Sequence, residues 1–296
     1  MATAELLAPI EKQRSSATGR VLRQQFWMNP EFAEVLVDAE LDSFAALIDT
    51  DAGEAMRLLG HRENWRLTLN STDGQFNAYL KKHRQQSISR IATAYLGGLH
   101  PSPAAYEATM NRIVSEAGIP TMNVIAYGSR VLSNGTTEGV FLSEELKGFE
   151  QLDLFLEERF QAEGDRKSPA FHRLIDRVAD VAGRFHQAGF NHRDFYTCHF
   201  FVREREEHHA EVDFDVHLID LQRVQHWPSL LRRRWIVKDL GQFIYSCPQR
   251  LFGRDEFDRF FRRYFSRSQM TSSTDALRKG AEHRADRMTR RLGSYR

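Results

Sequence analysis

Two tight-turn dipeptides, Asp73-Gly74 and Asn134-Gly135, each stand between segments that alternate apolar and polar residues. They commit the first half of the chain to antiparallel pairing, because such dipeptides supply the positive backbone angles that hairpins need. Ahead of the first turn Trp65, Leu67 and Leu69 alternate with polar neighbours, and after it Phe76, Ala78 and Leu80 do the same. Lys81 then shares a strand face with Tyr79, opposite Leu80. The stretches "TMNVIAYGSRV" and "TEGVFLSEEL" flank the second turn as strands. Between the hairpins, "SPAAYEATMNRIVSEAGIP" changes to helical spacing, with Tyr106, Met110, Ile113, Val114 and Ala117 as its apolar stripe. Gly118 suits the residue after the helix and Pro120 stops it.

Beyond residue 146 the period changes. "FHRLIDRVADVAGRFHQAG" places Leu174, Ile175, Val178, Val181, Ala182 and Phe185 at helical spacing, and "RRRWIVKDLGQFIYSCP" and "EFDRFFRRYFSR" continue the helical character. The phenylalanines of the last segment read as core. Strands first and helices later predict an α+β protein with an antiparallel sheet lobe, one embedded helix and a mainly helical second lobe. The expected division is 1–50 as an N-terminal helical extension (the first twenty residues loosely held), 51–146 as the sheet lobe, 147–270 as the helical lobe and 271–296 as a basic tail. The linker falls near 146–149, around Gly148. Asn29 is the expected cap of a helix starting at Pro30.

Composition narrows the function classes. Over 296 residues, 41% hydrophobic and 27% charged with a net charge of +1, the chain has material for a core and no global attraction to nucleic acid. Its two cysteines, Cys198 and Cys247, fit a reducing compartment and no disulfide framework. The N-terminus shows no apolar run behind a basic start, and nowhere do about 18 apolar residues run together. The expectation is a cytoplasmic protein. The basic segments "LRRRW" and "RKGAEHRADRMTRRLGSYR" are the surfaces suited to sugar phosphates or to the inner face of a membrane.

The chemistry concentrates in "GFNHRDFYTCHF" and "DVHLIDLQRV". Asp194 ends a short polar loop after a helix. Asp220 sits among Leu218, Ile219 and Leu221 in a strand-like segment, where a carboxylate is costly unless paired, hydrogen-bonded or bound to a metal. Two carboxylates supplied by a loop and a neighbouring strand can divide the work of phosphoryl transfer, one receiving a hydroxyl proton and one holding magnesium. His192 reads as a residue tying the loop to the core, and Asp239, after the "RRRW" cluster, as an arginine's salt-bridge partner or a cap for the loop's backbone groups. Cys198 reads as packing, and His208-His209 as a solvated insert between the two acids, shaped as a hairpin excursion.

The pattern "NHRDFYTCHF … LIDLQRVQ … RRWIVKDLGQF" resembles the lipopolysaccharide core kinase family, the Kdo/WaaP kinases, over roughly residues 60–250. The resemblance implies a protein-kinase-like fold and transfer of the ATP γ-phosphate, with Mg2+, to a heptose or Kdo hydroxyl of lipid-linked core oligosaccharide. It makes Asp194 the catalytic base, with Arg193 and His199 grouped beside it. Asp220 becomes the magnesium ligand, with His199 standing where protein kinases place a metal-binding Asn. Lys81, preferred to Lys82 by strand alternation, would hold the α- and β-phosphates, and Glu107 would be its ion-pair partner. Backbone groups of Glu144, Glu145 and Leu146 would meet adenine. No Gly-rich loop precedes Lys81, and "GHREN" at 60–64 takes that place; Asp220-Leu221-Gln222 lacks the usual glycine. These departures leave a nucleotide-binding pseudokinase, or a kinase for a small molecule or protein side chain, as alternatives.

Overall fold

The computed structural model describes residues 20–87, 102–206, 212–227, 229–268 and 274–295. The loosely held start and the His208-His209 insert lie outside the described residues. The chain divides into two compact units, one within residues 1–112 and 122–145 and the other within 113–121 and 146–296.

The first unit is a six-stranded antiparallel sheet, ordered β1-β5-β6-β4-β3-β2. Its strands are β1 (Val21–Met28), β2 (Glu54–Leu59), β3 (Arg62–Ser71), β4 (Gly74–Ser87), β5 (Val124–Leu132) and β6 (Thr136–Glu144). Ser71 pairs with Gly74, so the first turn is tight, and Gly74 takes φ +116°. Gly135 takes φ +76° in the second, where the Asn134 side chain accepts from the Thr136 N–H at 3.1 Å. Two short helices, α1 (Ala33–Asp38) and α2 (Phe44–Asp49), supply Leu36, Phe44, Leu47 and Ile48. These bury one sheet face together with Leu67, Leu69, Ala78, Leu80 and Leu142. Helix α3 (Pro103–Glu116) packs Ala104 and Ala108 against Phe141. Phe141 pairs with Lys81 across the β4–β6 ladder.

The second unit holds α4 (Leu152–Arg159), α5 (Pro169–Gln187), α6 (Ser229–Ser246), α7 (Arg254–Ser268) and α8 (Thr274–Leu292). Its strands are β7 (Glu150–Gln151), β8 (Phe190–Asn191), β9 (Phe200–Glu206), β10 (Val212–Leu218) and β11 (Gln225–His226). Helix α5 starts where Ser168 accepts from the Phe171 N–H at 3.1 Å and Pro169 takes the first turn. Every residue of its expected stripe is buried. Phe260, Phe261 and Tyr264 of α7 are core, as their spacing implied. Arg177 of α5 grips buried Asp213 of β10 through two hydrogen bonds of 2.7 and 2.5 Å, fastening the β9–β10 hairpin to the helix. Burial alone would raise the Asp213 pKa, but the Arg177 and Arg205 guanidiniums hold it at about 2.

Two expectations are corrected. The described part of the expected helical extension at 1–50 is not separate: residues 21–28 form edge strand β1, paired with β5, and α1 and α2 cover the sheet. Arg23, Gln24 and Gln25 interrupt apolar alternation there, which hides the strand. Asn29 and Pro30 do cap and begin the helical turn that follows, with Asn29 Oδ1 accepting from the Glu31 N–H at 3.1 Å. The basic tail is helix α8, which buries Leu277, Ala281 and Ala285 at four-residue spacing.

Candidate active site

The polar loop begins where α5 ends. Ala188 closes the helix with its N–H on the Arg184 carbonyl at 2.9 Å, and Gly189 turns the chain at φ +92°. A Cβ at Gly189 would lie 2.5 Å from Arg232 Nη2 and 2.8 Å from His226 Nε2. Arg232 has little freedom to retreat, since its Nε donates to the Trp227 carbonyl at 2.7 Å. Gly189→Ala is therefore expected to lower stability by about 1–2 kcal/mol in urea unfolding, mostly from the positive φ.

Helix α6 holds the loop from beneath. Asp239, Gln242 and Ser246 recur on one helical face. Asp239 is fully buried and accepts the His192 N–H at 2.6 Å and the Arg193 N–H at 3.0 Å. Gln242 Oε1 takes the Phe195 N–H at 3.3 Å, and Ser246 Oγ the Thr197 N–H at 2.9 Å. The loop's backbone donors are thus met by side chains, as buried N–H groups require. Asp239 is thus the loop's cap. The His192 ring donates from Nε2 to the Ile219 carbonyl at 2.8 Å. Burial, with the charge of His199, pulls its pKa down to about 4, so it is a neutral tie rather than a proton carrier.

Arg193 stands at φ +73° with its N–H on Asp239 and its carbonyl on the Lys238 ammonium. Its guanidinium lies 6.0 Å from the Trp235 ring centre. Its backbone is thereby fixed on both sides immediately before Asp194.

The hairpin brings the two acids to one place. Phe200 pairs with Leu218, so the chain that leaves Asp194 along β9 returns along β10 to the same end. The Ile219 N–H donates to the His199 carbonyl at 3.0 Å. His199 completes the link, its Nδ1 donating to the Asp194 carbonyl at 2.6 Å and its Nε2 3.6 Å from Asp220 Oδ2. Asp220 is not inside a strand, as the apolar run suggested. It follows β10 in the left-handed region, at φ +58° and ψ 56°, where the backbone turns into a short 3-10 segment. A non-glycine residue held there is strained, a condition that clusters at functional sites. The Asp194 carboxylate receives Arg223 Nη1 at 2.8 Å on both oxygens. Sequence reasoning missed Arg223, although it stands within the quoted "LIDLQRVQ".

His199 sits under opposing influences. Burial opposes its charge, but Cys198, the Asp194 carbonyl and Asp220 outweigh that and push its pKa up to about 9. His199 Nδ1 is committed to the Asp194 carbonyl, which leaves Nε2 as the ring nitrogen that faces Asp220. Asp220 retains a partly exposed carboxylate, the hard oxygen donor that magnesium prefers.

In the first unit, Lys81 Nζ meets Glu107 Oε1 of α3 at 2.6 Å, with the glutamate side chain fully buried. Lys82 faces the other side of β4, its ammonium on the Thr50 carbonyl and 4.9 Å from the Trp65 ring centre. Strand alternation thus separates the two lysines, and the ion pair with Glu107 belongs to Lys81. Around Glu144 to Leu146 several groups are already engaged within the protein. The N–H of Glu144 is committed to the Asn123 carbonyl and that of Glu145 to Asn77, each at 2.9 Å. The Glu145 carboxylate accepts from Asn77, Tyr79 and Arg66. The Leu146 carbonyl accepts the Phe149 N–H at 3.0 Å. The expected phosphate-covering turn is Gly60-His61, between paired Leu59 and Arg62, with Gly60 at φ +50°.

Comparison with known proteins follows the same lines. The model of the lipopolysaccharide kinase (Kdo/WaaP) family matches residues 49–264. The chain is 30% identical over 250 residues to the lipopolysaccharide core heptose(I) kinase WaaP of Pseudomonas aeruginosa, covering 83% of this chain and 91% of that protein. It is 29% identical over 231 residues to the enzyme of the same name from Escherichia coli K12, covering 76% and 82% respectively. A solved structure of WaaP in complex with acyl carrier protein superposes with a TM-score of 0.66 at 26% identity, covering 89% of this chain and 99% of that one. The chain belongs to the lipopolysaccharide kinase (Kdo/WaaP) family.

Proposed function

We propose that this protein is an ATP- and magnesium-dependent kinase that phosphorylates a heptose hydroxyl of lipopolysaccharide core. The observation that carries the reading is the β9–β10 register, which returns Asp220 to the loop bearing Asp194. Family membership and the named activity of the relatives supply the substrate class.

Asp194 accepts a hydrogen bond from the attacking sugar hydroxyl and takes its proton late in the transfer, so its position matters more than its basicity. Arg223 holds that carboxylate in place until the hydroxyl arrives. His199 fixes the Asp194 carbonyl and leans on Asp220, holding the spacing between the acids. Asp220 is the residue that would hold magnesium, which when bound offsets phosphate charge. Lys81, steadied by buried Glu107, is assigned to the α- and β-phosphates. Among the described residues no helix is long and apolar enough to cross a membrane. We place the enzyme in the cytoplasm, its basic surface drawing it to the membrane that carries the lipid-linked acceptor.

The test is transfer of labelled γ-phosphate from ATP to core oligosaccharide, read by mass spectrometry. Asp220→Ala is expected to lose the magnesium-dependent part of ATP affinity, a drop of about tenfold or more in titration with and without the metal. Full turnover without Asp220, or ATP stabilisation of the wild type with transfer to no acceptor, would overturn the reading.

A further inference from the structure

Helices α6 and α8 approach closely because two glycines let them. A Cβ at Gly280 would lie 3.3 Å from Val237, and one at Gly241 would lie 2.8 Å from Arg284 Cδ. The Arg284 stem thus lies flat on α6. Beside this contact opens a pocket of about 790 Å³, of a size that suits one or two sugar rings. Arg233, Arg234 and Lys238 reach it from α6, and Arg284 and Arg287 from α8, and no carboxylate is among its lining residues.

This charge is not balanced from within. Other arginines of the unit are committed: Arg177 to Asp213 and Arg259 to Asp176 at 2.5 Å, and Arg263 to Asp180 at 2.7 Å. Among the described residues, Arg233, Arg234, Arg284 and Arg287 have no such carboxylate partner. In a chain whose net charge is only +1, grouping these four guanidiniums around one hollow costs repulsion that a bound anion would relieve. Burial, moreover, pulls the Lys238 pKa down to about 8.

The pocket also has an aromatic wall. Trp227 and Trp235 stack with ring centres 5.6 Å apart and planes at 14°. Trp227 is pinned, its N–H on the Gly189 carbonyl and its indole N–H on Gln225, both at 3.1 Å. Indole faces offer a flat apolar surface to the C–H side of a sugar ring. The pocket abuts the catalytic loop directly, since Lys238 holds the Arg193 carbonyl and Trp235 lies beside the Arg193 guanidinium.

We propose that this Trp–Arg pocket is the acceptor subsite, gripping a carboxylated or phosphorylated sugar of the acceptor so that a nearby hydroxyl reaches Asp194. The proposal rests on the sugar-kinase reading above and adds the place and the charge of the saccharide.

The probe is deacylated core oligosaccharide carrying its acidic sugars, titrated calorimetrically and used as substrate. Arg234 and Arg287 are both exposed, so the double variant Arg234→Ala/Arg287→Ala should fold. It is expected to raise the acceptor Kd and KM by about tenfold or more, with a much smaller change in kcat. Arg234→Lys/Arg287→Lys should recover part of the affinity. Unchanged acceptor Kd and KM in the alanine variant would overturn the subsite while leaving the kinase reading intact. If the wild type transfers phosphate to no core saccharide, the kinase reading fails on its own. The titration still decides the pocket: saccharide binding lost in the alanine variant supports it, and equal binding overturns it. Co-sedimentation with phosphatidylglycerol vesicles separates the membrane alternative. A variant that loses vesicles but keeps saccharide affinity would overturn the proposal, as would wild-type affinity for inorganic phosphate equal to that for the saccharide.

Discussion

Asp194→Ala is expected to lower kcat by about 10²–10⁴-fold, the range associated with loss of a positioned acid or base, while ATP binding persists. The phosphates are assigned to Lys81 and the metal to Asp220, so calorimetric ATP affinity should stay near that of the wild type. The substitution also strips Arg223 of the carboxylate it meets at 2.8 Å. Arg223 is substantially exposed and the pair is solvent-screened, so its loss carries little stability. Asp194→Asn separates the two effects. It keeps an oxygen for Arg223 but removes the charge that receives the proton, so it should fold like the wild type and remain as inactive as the alanine variant. Turnover within about tenfold of wild type in either protein would remove Asp194 from the chemistry.

What could be read in advance depended on whether the determining interaction was local. The two turns and the α5 stripe are local, and residues 62–87, 124–144 and 169–187 fold as their periods imply. Lys81 was separable from Lys82 because alternation on a strand is local too, although only the fold supplies Glu107 as the reason. Asp239 was legible only through the resemblance, because a helix aspartate after an arginine cluster could equally pair with one of those arginines. Edge strands β1 and β2 were not, since every residue of Glu54–Leu59 is exposed and needs no apolar alternation. The charge of His199 was not legible, because it depends on a carbonyl five residues back and a carboxylate across the hairpin. Arg223 escaped notice because a surface arginine has no period. The C-terminal segment read as a tail because its buried side is narrow and small, Leu277, Ala281 and Ala285.

The largest stability effect is expected at Asp239. Its carboxylate is fully buried, accepts the His192 and Arg193 N–H groups at 2.6 and 3.0 Å, and lies 3.4 Å from His186 Nε2. Alanine would leave two buried backbone donors without an acceptor and the His186 ring facing a void, at a cost of about 3–5 kcal/mol. Asparagine fills the same space but offers one oxygen where two are used, and its amide nitrogen would face an N–H. It should fall between wild type and alanine. The measurement is the urea midpoint at constant slope, together with exchange of the His192 and Arg193 amides, which should become fast in Asp239→Ala. Arg193 holds its left-handed angle through this carboxylate and through Lys238 on its carbonyl. Once the first is gone, Asp194 loses its fixed direction and kcat should fall even in the fraction that stays folded. Stability within about 0.5 kcal/mol of wild type with both amides still protected would show that the loop is held by something other than Asp239.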